Sequence, residues 1–191
     1  YGSGIFVAVA GNLNAAAYST DGITWNSSTL PTFGDSTYNE YVDVTYGQNM
    51  FVAVANSGNT VSLGTWTGST VAWEAVLMDS VADSSQQDWC SIAYGNNRFV
   101  TISTQGGISY SLDGRTWYGA TMPTADGSTP HFWKKIRYGQ GVFFAVGDTG
   151  SRTVNGLPTT GPSTFTATSP DGINWTTRAF PTEASYVAVA F

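Results

Sequence analysis

Trp89-Cys90-Ser91-Ile92-Ala93-Tyr94-Gly95-Asn96-Asn97-Arg98-Phe99-Val100-Thr101-Ile102 is followed a few residues later by Ser111-Leu112-Asp113-Gly114-Arg115-Thr116-Trp117, and this succession decides the architecture. An apolar run ends on an aromatic-Gly pair, turns, and is answered by a second apolar run opening on Phe. A polar run then leads to a Ser-x-Asp-Gly turn and a Trp. The aromatic-Gly pair recurs as Tyr1-Gly2, Tyr46-Gly47, Tyr94-Gly95 and Tyr138-Gly139, at spacings of 45, 48 and 44 residues. The chain repeats one unit four times.

A period of that size, filled only with short strands, is the signature of a β-propeller or a similar radial array. Aligned repeats give four strand columns. The first reads Tyr41 to Tyr46, Trp89 to Tyr94 and Trp133 to Tyr138. The second opens at Phe6, Phe51, Phe99 and Phe143, the third ends in the Ser-x-Asp turns, and the fourth begins at Trp25, Trp73, Trp117 and Trp175. Runs of β-branched and aromatic residues between Gly/Asn turns fit a four-stranded antiparallel meander, and no stretch sustains a 3.6-residue period. The expected fold is all-β: a four-bladed β-propeller of four-stranded antiparallel blades in one domain, 1–191. The blades span approximately 186–191 with 1–31, then 41–78, 89–123 and 133–181. The first repeat lacks its first strand, and Tyr186-Val187-Ala188-Val189-Ala190-Phe191 resembles that strand at the other end of the chain. Pairing of 186–191 beside 5–10 is therefore expected to close the ring and cover a bare edge. Four repeats of a longer array are the alternative, and the opening on Tyr1 rather than Met fits a processed product or part of something longer.

Bulk properties exclude several functions. A net charge of −6 and a pI near 4.4 argue against nucleic acid, whose phosphates need a basic face. No apolar run reaches the roughly 20 residues of a membrane-spanning helix, so no membrane insertion is expected. One cysteine, Cys90, leaves stability to packing rather than to an internal disulfide. His131 stands alone and the carboxylates lack the spacing of a calcium loop, so neither metal nor cofactor is expected.

The turns Ser19-Thr20-Asp21-Gly22-Ile23-Thr24-Trp25, Ser111 to Trp117 and Ser169-Pro170-Asp171-Gly172-Ile173-Asn174-Trp175 are near-identical. They resemble the Asp-box of the bacterial neuraminidase repeat family, Ser-x-Asp-x-Gly-x-Thr-Trp, with one residue fewer between Asp and Gly. The second repeat has only Leu63-Gly64-Thr65-Trp66-Thr67-Gly68 at this place. This variant is similar to repeats of phage tail and tail-fibre proteins and of bacterial surface proteins. The resemblance implies that Ser19, Asp21, Gly22, Trp25, Ser111, Asp113, Gly114, Trp117, Ser169, Asp171, Gly172 and Trp175 are structural, on the face away from the binding site. Function is then expected on the opposite face, in the long dissimilar loops 30–40, 78–88, 122–132 and 181–185 and the insertion at 148–163.

Sialidase chemistry in that family needs an arginine triad, a Tyr/Glu pair and an acidic Asp. Five arginines are present, and only Arg137 and Arg152 are placed to share a site. The chain is therefore expected not to be an enzyme. It reads as an extracellular or virion recognition module, a phage tail or fibre component binding a host-surface glycan or protein. An assembly scaffold among other virion or fibre subunits, with a possible homo-oligomer, and a degenerate glycoside hydrolase are the alternatives. The candidate ligand residues are Tyr38, Asp126, His131 and Arg152, which break the repeat and combine a stacking ring with polar groups. Phe33, Trp66 and Phe132 are further off-pattern aromatics. Inside the ring, Lys135 shares a column with Asp43, and the two charges are expected to meet across the central channel.

Overall fold

The computed structural model describes residues 1–33, 39–56, 58–78, 88–123, 133–147, 150–154, 157–161, 163–184, 186 and 188–190, with side chains for all but 150–154, 157–161, 163–165 and 183–184. No helix occurs among them. Three sheets are four-stranded and antiparallel. The second holds β4 (Tyr41–Gly47), β5 (Met50–Ala55), β6 (Thr60–Trp66) and β7 (Val71–Leu77) in sequence order. The third runs β8 (Trp89–Gly95), β9 (Arg98–Ser103), β10 (Gly107–Ser111), β11 (Trp117–Thr121). In the fourth, β12 (Trp133–Gly139), β13 (Val142–Gly147), β16 (Ser163–Ser169) and β17 (Thr176–Ala184) are interrupted by a separate hairpin, β14 (Gly150–Val154) and β15 (Leu157–Gly161). The first sheet has three strands, β1 (Phe6–Val9), β2 (Ala15–Ser19) and β3 (Asn26–Thr29).

Local chemistry explains the meander. At all four aromatic-Gly turns two adjacent residues take positive φ: Ser3 at 49° with Gly4 at 78°, Gln48 at 49° with Asn49 at 61°, Asn96 at 45° with Asn97 at 56°, and Gln140 at 52° with Gly141 at 81°. Paired left-handed residues match the right-handed twist of the flanking strands, the geometry of a tight two-residue hairpin. The glycine before each turn answers a different need. A Cβ on Gly2, Gly47 or Gly95 would lie 2.0, 2.2 or 2.0 Å from the ring of Tyr46, Tyr94 or Tyr138. Each repeat's tyrosine thus lies flat on the glycine of the repeat before it, and against the Phe five residues on, at ring-centroid distances of 4.9, 4.7 and 4.7 Å.

The sheets pack face to face in chain order. Val52, Val54, Val61 and Leu63 of the second sheet form one core with Trp89, Ile92, Phe99 and Trp117 of the third. Val100, Ile102 and Ile108 of the third form another with Trp133, Ile136, Phe143 and Ala167 of the fourth. Hydrogen bonds also cross between sheets, with Trp73 Nε1 donating to Ser28 Oγ of the first sheet at 3.0 Å and Trp89 Nε1 of the third to the Gly58 carbonyl before β6 of the second at 3.0 Å.

Two expectations need correction, and a third, closure by the C-terminal strand, is not observed among the described residues. The repeating Trp column reads as packing between blades, yet Trp25 is 46% exposed whereas its column partner Trp117 is 1% exposed, and among the described residues no sheet packs over Trp25. Trp66 and Phe33 are not free stacking rings: Trp66 packs on Tyr18 with centroids 5.3 Å apart, and Phe33 on Tyr41 at 6.2 Å. The strand expected at 186–191 forms no ladder among the described residues, and β1 pairs with β2 alone. Tyr186 instead stacks on Phe180 of β17 at 3.9 Å and donates its hydroxyl to the Thr182 carbonyl at 3.1 Å.

Candidate functional site: an axial cavity and a turn-lined face

Strands β4, β8 and β12 are the innermost of their sheets and pack side by side around the axis. Each carries a register shift at the same place, between Tyr41 and Asp43, Trp89 and Ser91, and Trp133 and Lys135. A bulge re-aims the side chain that follows it. The three residues so placed, Asp43, Ser91 and Lys135, meet.

Asp43 Oδ2 accepts from Ser91 Oγ at 2.6 Å and from the Ile92 amide at 3.1 Å. It also receives Lys135 Nζ at 3.0 Å and Arg137 Nη1 at 3.3 Å, while Oδ1 accepts the Val44 amide at 3.1 Å. The Lys135–Asp43 contact across the channel is therefore present, joining strands that are separated by β8. Two features of the cluster were missed in the sequence. Arg137, one alternation beyond Lys135, adds a second cation, and Ser91 passes the network on by accepting the Ile136 amide at 3.2 Å. The shared strand column was the available signal. Only 11% of the Asp43 side chain is exposed, against 22% for Lys135 and 38% for Arg137. Arg137 of this cluster also lines a cavity of about 370 Å³, whose walls come from Tyr1 and Val7, from Val44 and Tyr46, from Ile92 and Tyr94, and from Tyr138 beside Arg137.

The Ser-x-Asp-Gly turns use their polar groups internally. In the third sheet Asp113 Oδ1 accepts the Arg115 amide at 2.8 Å, the Thr116 amide at 2.7 Å and the Ser111 hydroxyl at 3.0 Å, and Ser111 Oγ accepts the Gly114 amide at 2.8 Å. Asp21 with Ser19, and Asp171 with Ser169, repeat the pattern. The Ile23 and Thr24 amides hold the Asp21 carboxyl down at about 2. Asp113 is lowered chiefly by the Thr116 amide. Burial pushes Asp171 up, but its bonds from Asn174, Ile173 and Ser169 together outweigh this and lower it. Gly22, Gly114 and Gly172 take positive φ at the turn, and Trp117 Nε1 closes back on the Gly114 carbonyl at 2.8 Å. Trp175 is half-buried beside Phe143.

Both turn types share one face. Gln48 Nε2 donates to the Leu112 carbonyl, and Asn96 Nδ2 donates to the Pro170 carbonyl at 3.1 Å, so the hairpin of one repeat grips the Asp turn of the next. The other face lies at the ends where β4, β8 and β12 begin. Of the sequence candidates, Tyr38, Asp126 and His131 lie outside the described residues. Arg152 lies in β14, paired with Thr159 on the inserted hairpin, and only its backbone is described. No group of three or more His, Cys, Asp or Glu gathers as a possible metal site among the described residues.

No family model and no curated protein matches the chain in sequence. Solved structures match in shape. YCF48 from Cyanidioschyzon merolae has a TM-score of 0.54 at 15% identity, over 98% of this chain and 56% of that one. YCF48 bound to D1 peptide gives 0.50 at 17%, over 73% and 40%. A point mutant of NanB sialidase from Streptococcus pneumoniae gives 0.53 at 14%, over 86% and 28%. The chain thus spans about half or less of the proteins it resembles. Those neighbours are β-propellers with blades of four antiparallel strands, and at these identities the likeness is one of fold: this chain is all-β, with propeller-like packing of four antiparallel sheets.

Proposed function

We propose that the protein is a non-catalytic recognition module of an extracellular or virion structure, a phage tail or fibre component that binds a host-surface glycan or protein through its loop face. The observation that carries this reading is the asymmetry of the two faces. On one, hairpins and Asp turns consume each other's hydrogen-bonding groups; on the other, long connections of dissimilar sequence join the sheets. Six of the described carboxylates support a non-catalytic role, because they are engaged in holding the fold. Asp21, Asp113 and Asp171 organise turns, Asp43 anchors the axis, Glu74 pairs with Arg115, and Glu40 accepts from Asn56 at 2.9 Å. That a solved neighbour, YCF48, is bound to a peptide fits a binding module.

The test is alanine replacement of Tyr38, Asp126, His131 and Arg152, read by host-cell and glycan-array binding. Binding should fall while the melting temperature stays within about 1 °C of the parent. Normal binding by all four variants, with loss on altering Gln48 or Asn96, would reverse the assignment of the faces. A second reading, assembly against other subunits, is favoured by the apolar groups concentrated on or beside the first sheet: Tyr1 is 74% exposed, Leu13 70%, Ile23 84%, Trp25 46% and Phe6 40%. Under that reading Trp25→Ser weakens self-association or capture by fibre subunits and leaves glycan binding alone.

A further inference from the structure

We infer that the axial cavity is the seat of an extended peptide strand that carries an acidic side chain and lies along the free edge of β1. This site is separate from the loop face and goes beyond the reading above.

Three observations converge on it. The first is an unpaired edge: each of the three four-stranded sheets has an innermost strand, while β1 pairs with β2 alone among the described residues. The cost is visible in one column, where Phe51, Phe99 and Phe143 are 2%, 0% and 0% exposed and Phe6 is 40% exposed. The second is room, since the cavity of about 370 Å³ has Val7 of β1 in one wall and Arg137 and Tyr138 of β12 in another. The third is charge. Each inner strand brings the residue after its bulge to the axis, and each of the first two accepts the next strand's amide: Asp43 takes Ile92, and Ser91 takes Ile136. Lys135 occupies the third position and has no acceptor to offer. It turns back with Arg137 onto the one carboxylate of Asp43, leaving two cations to one anion. A fourth strand with a carboxylate at this level balances the cluster, its backbone pairing with β1 and its acid meeting Lys135 and Arg137. The chain's own 186–191 carries aromatic ends but no acid, and Tyr186 is stacked on Phe180.

The probe is a fluorescein-labelled peptide with the sequence of β4, Tyr41-Val42-Asp43-Val44-Thr45-Tyr46, which sets an acid at the bulge level between aromatic ends. A second peptide has Asn in place of that Asp. Fluorescence anisotropy with the full chain should show the acidic peptide binding at least about tenfold more tightly than the amide peptide, as a lost charge-assisted contact implies. The preference should shrink with added salt and vanish in Arg137→Gln. Should that variant fold poorly, the two peptides on the parent protein still decide the matter. Equal binding of both peptides, or binding of neither, overturns the proposal; the second result leaves 186–191 as the strand that fills the place. Neither result touches glycan or cell binding through the loops.

Discussion

Replacing Asp43 by Asn removes one negative charge from the axis at nearly constant volume, so its effect isolates electrostatics from packing. In the parent, Oδ2 takes four donors, two of them cationic, and the side chain is only 11% exposed. The amide leaves Lys135 and Arg137 facing each other without an anion and turns an acceptor site partly into a donor. Breaking a buried ion pair from one side costs about 3–5 kcal/mol. Lys135 and Arg137 are 22% and 38% exposed, and water relieves part of that penalty. The expected loss is then about 2–3 kcal/mol, or roughly 4–12 °C in melting temperature for a chain of this size. Urea denaturation of the parent and Asp43→Asn at matched salt measures it. Adding Lys135→Met to Asp43→Asn removes one unpaired cation and should recover part of the loss. If the single variant unfolds within about 0.5 kcal/mol of the parent, the cluster does not hold the three inner strands together, and the charge argument for the axial seat weakens with it.

Other outcomes follow from the same geometry. Gly95→Ala sets a Cβ 2.0 Å from the Tyr138 ring and is expected to cost about 3 kcal/mol or more by overpacking, measured by thermal melting; a neutral result would mean the ring is free to move. Asp113→Ala strips the acceptor from the Arg115 and Thr116 amides at an exposed turn, for a loss of about 1 kcal/mol with loop-face binding intact. Because the folded-state values of Asp21, Asp113 and Asp171 lie below the unfolded carboxylate value of about 3.9, their stabilisation is complete above that value and lost as pH falls through it toward the folded values, about 2 for Asp21. Urea midpoints should accordingly hold from pH 7 to 5 and drop below about pH 4, less steeply in Asp113→Ala. Burial pushes the Cys90 thiol up to about 12, and its Sγ donates to the Trp133 carbonyl at 3.3 Å. Disulfide reagents at pH 8 should react with it promptly only after denaturation, and rapid labelling of the native protein would refute that burial.

The sequence by itself determined the unit and its count. A hairpin that needs left-handed residues, a glycine under a ring and a Trp after an Asp turn are local demands, so they are written in residue types at fixed spacing and recur as Tyr94-Gly95, Asn96-Asn97 and Ser111 to Trp117. The axial column was legible for the same reason, since aligning the repeats set Lys135 and Asp43 in one column. Tertiary structure decided what depends on neighbours. Trp25 and Trp117 are the same letter in the same column, yet one is 46% exposed and the other 1%, because burial depends on whether a sheet stands in front. Trp66 and Phe33 broke the pattern in sequence and still found partners in Tyr18 and Tyr41. The bulges aimed Ser91 at Asp43 and brought Arg137 in as a second cation, and no spacing rule records where a re-aimed side chain will end. The place beside β1 belongs to the same class: pairing of two segments far apart in the chain turns on competing contacts, and for Tyr186 the ring of Phe180 is the contact that forms.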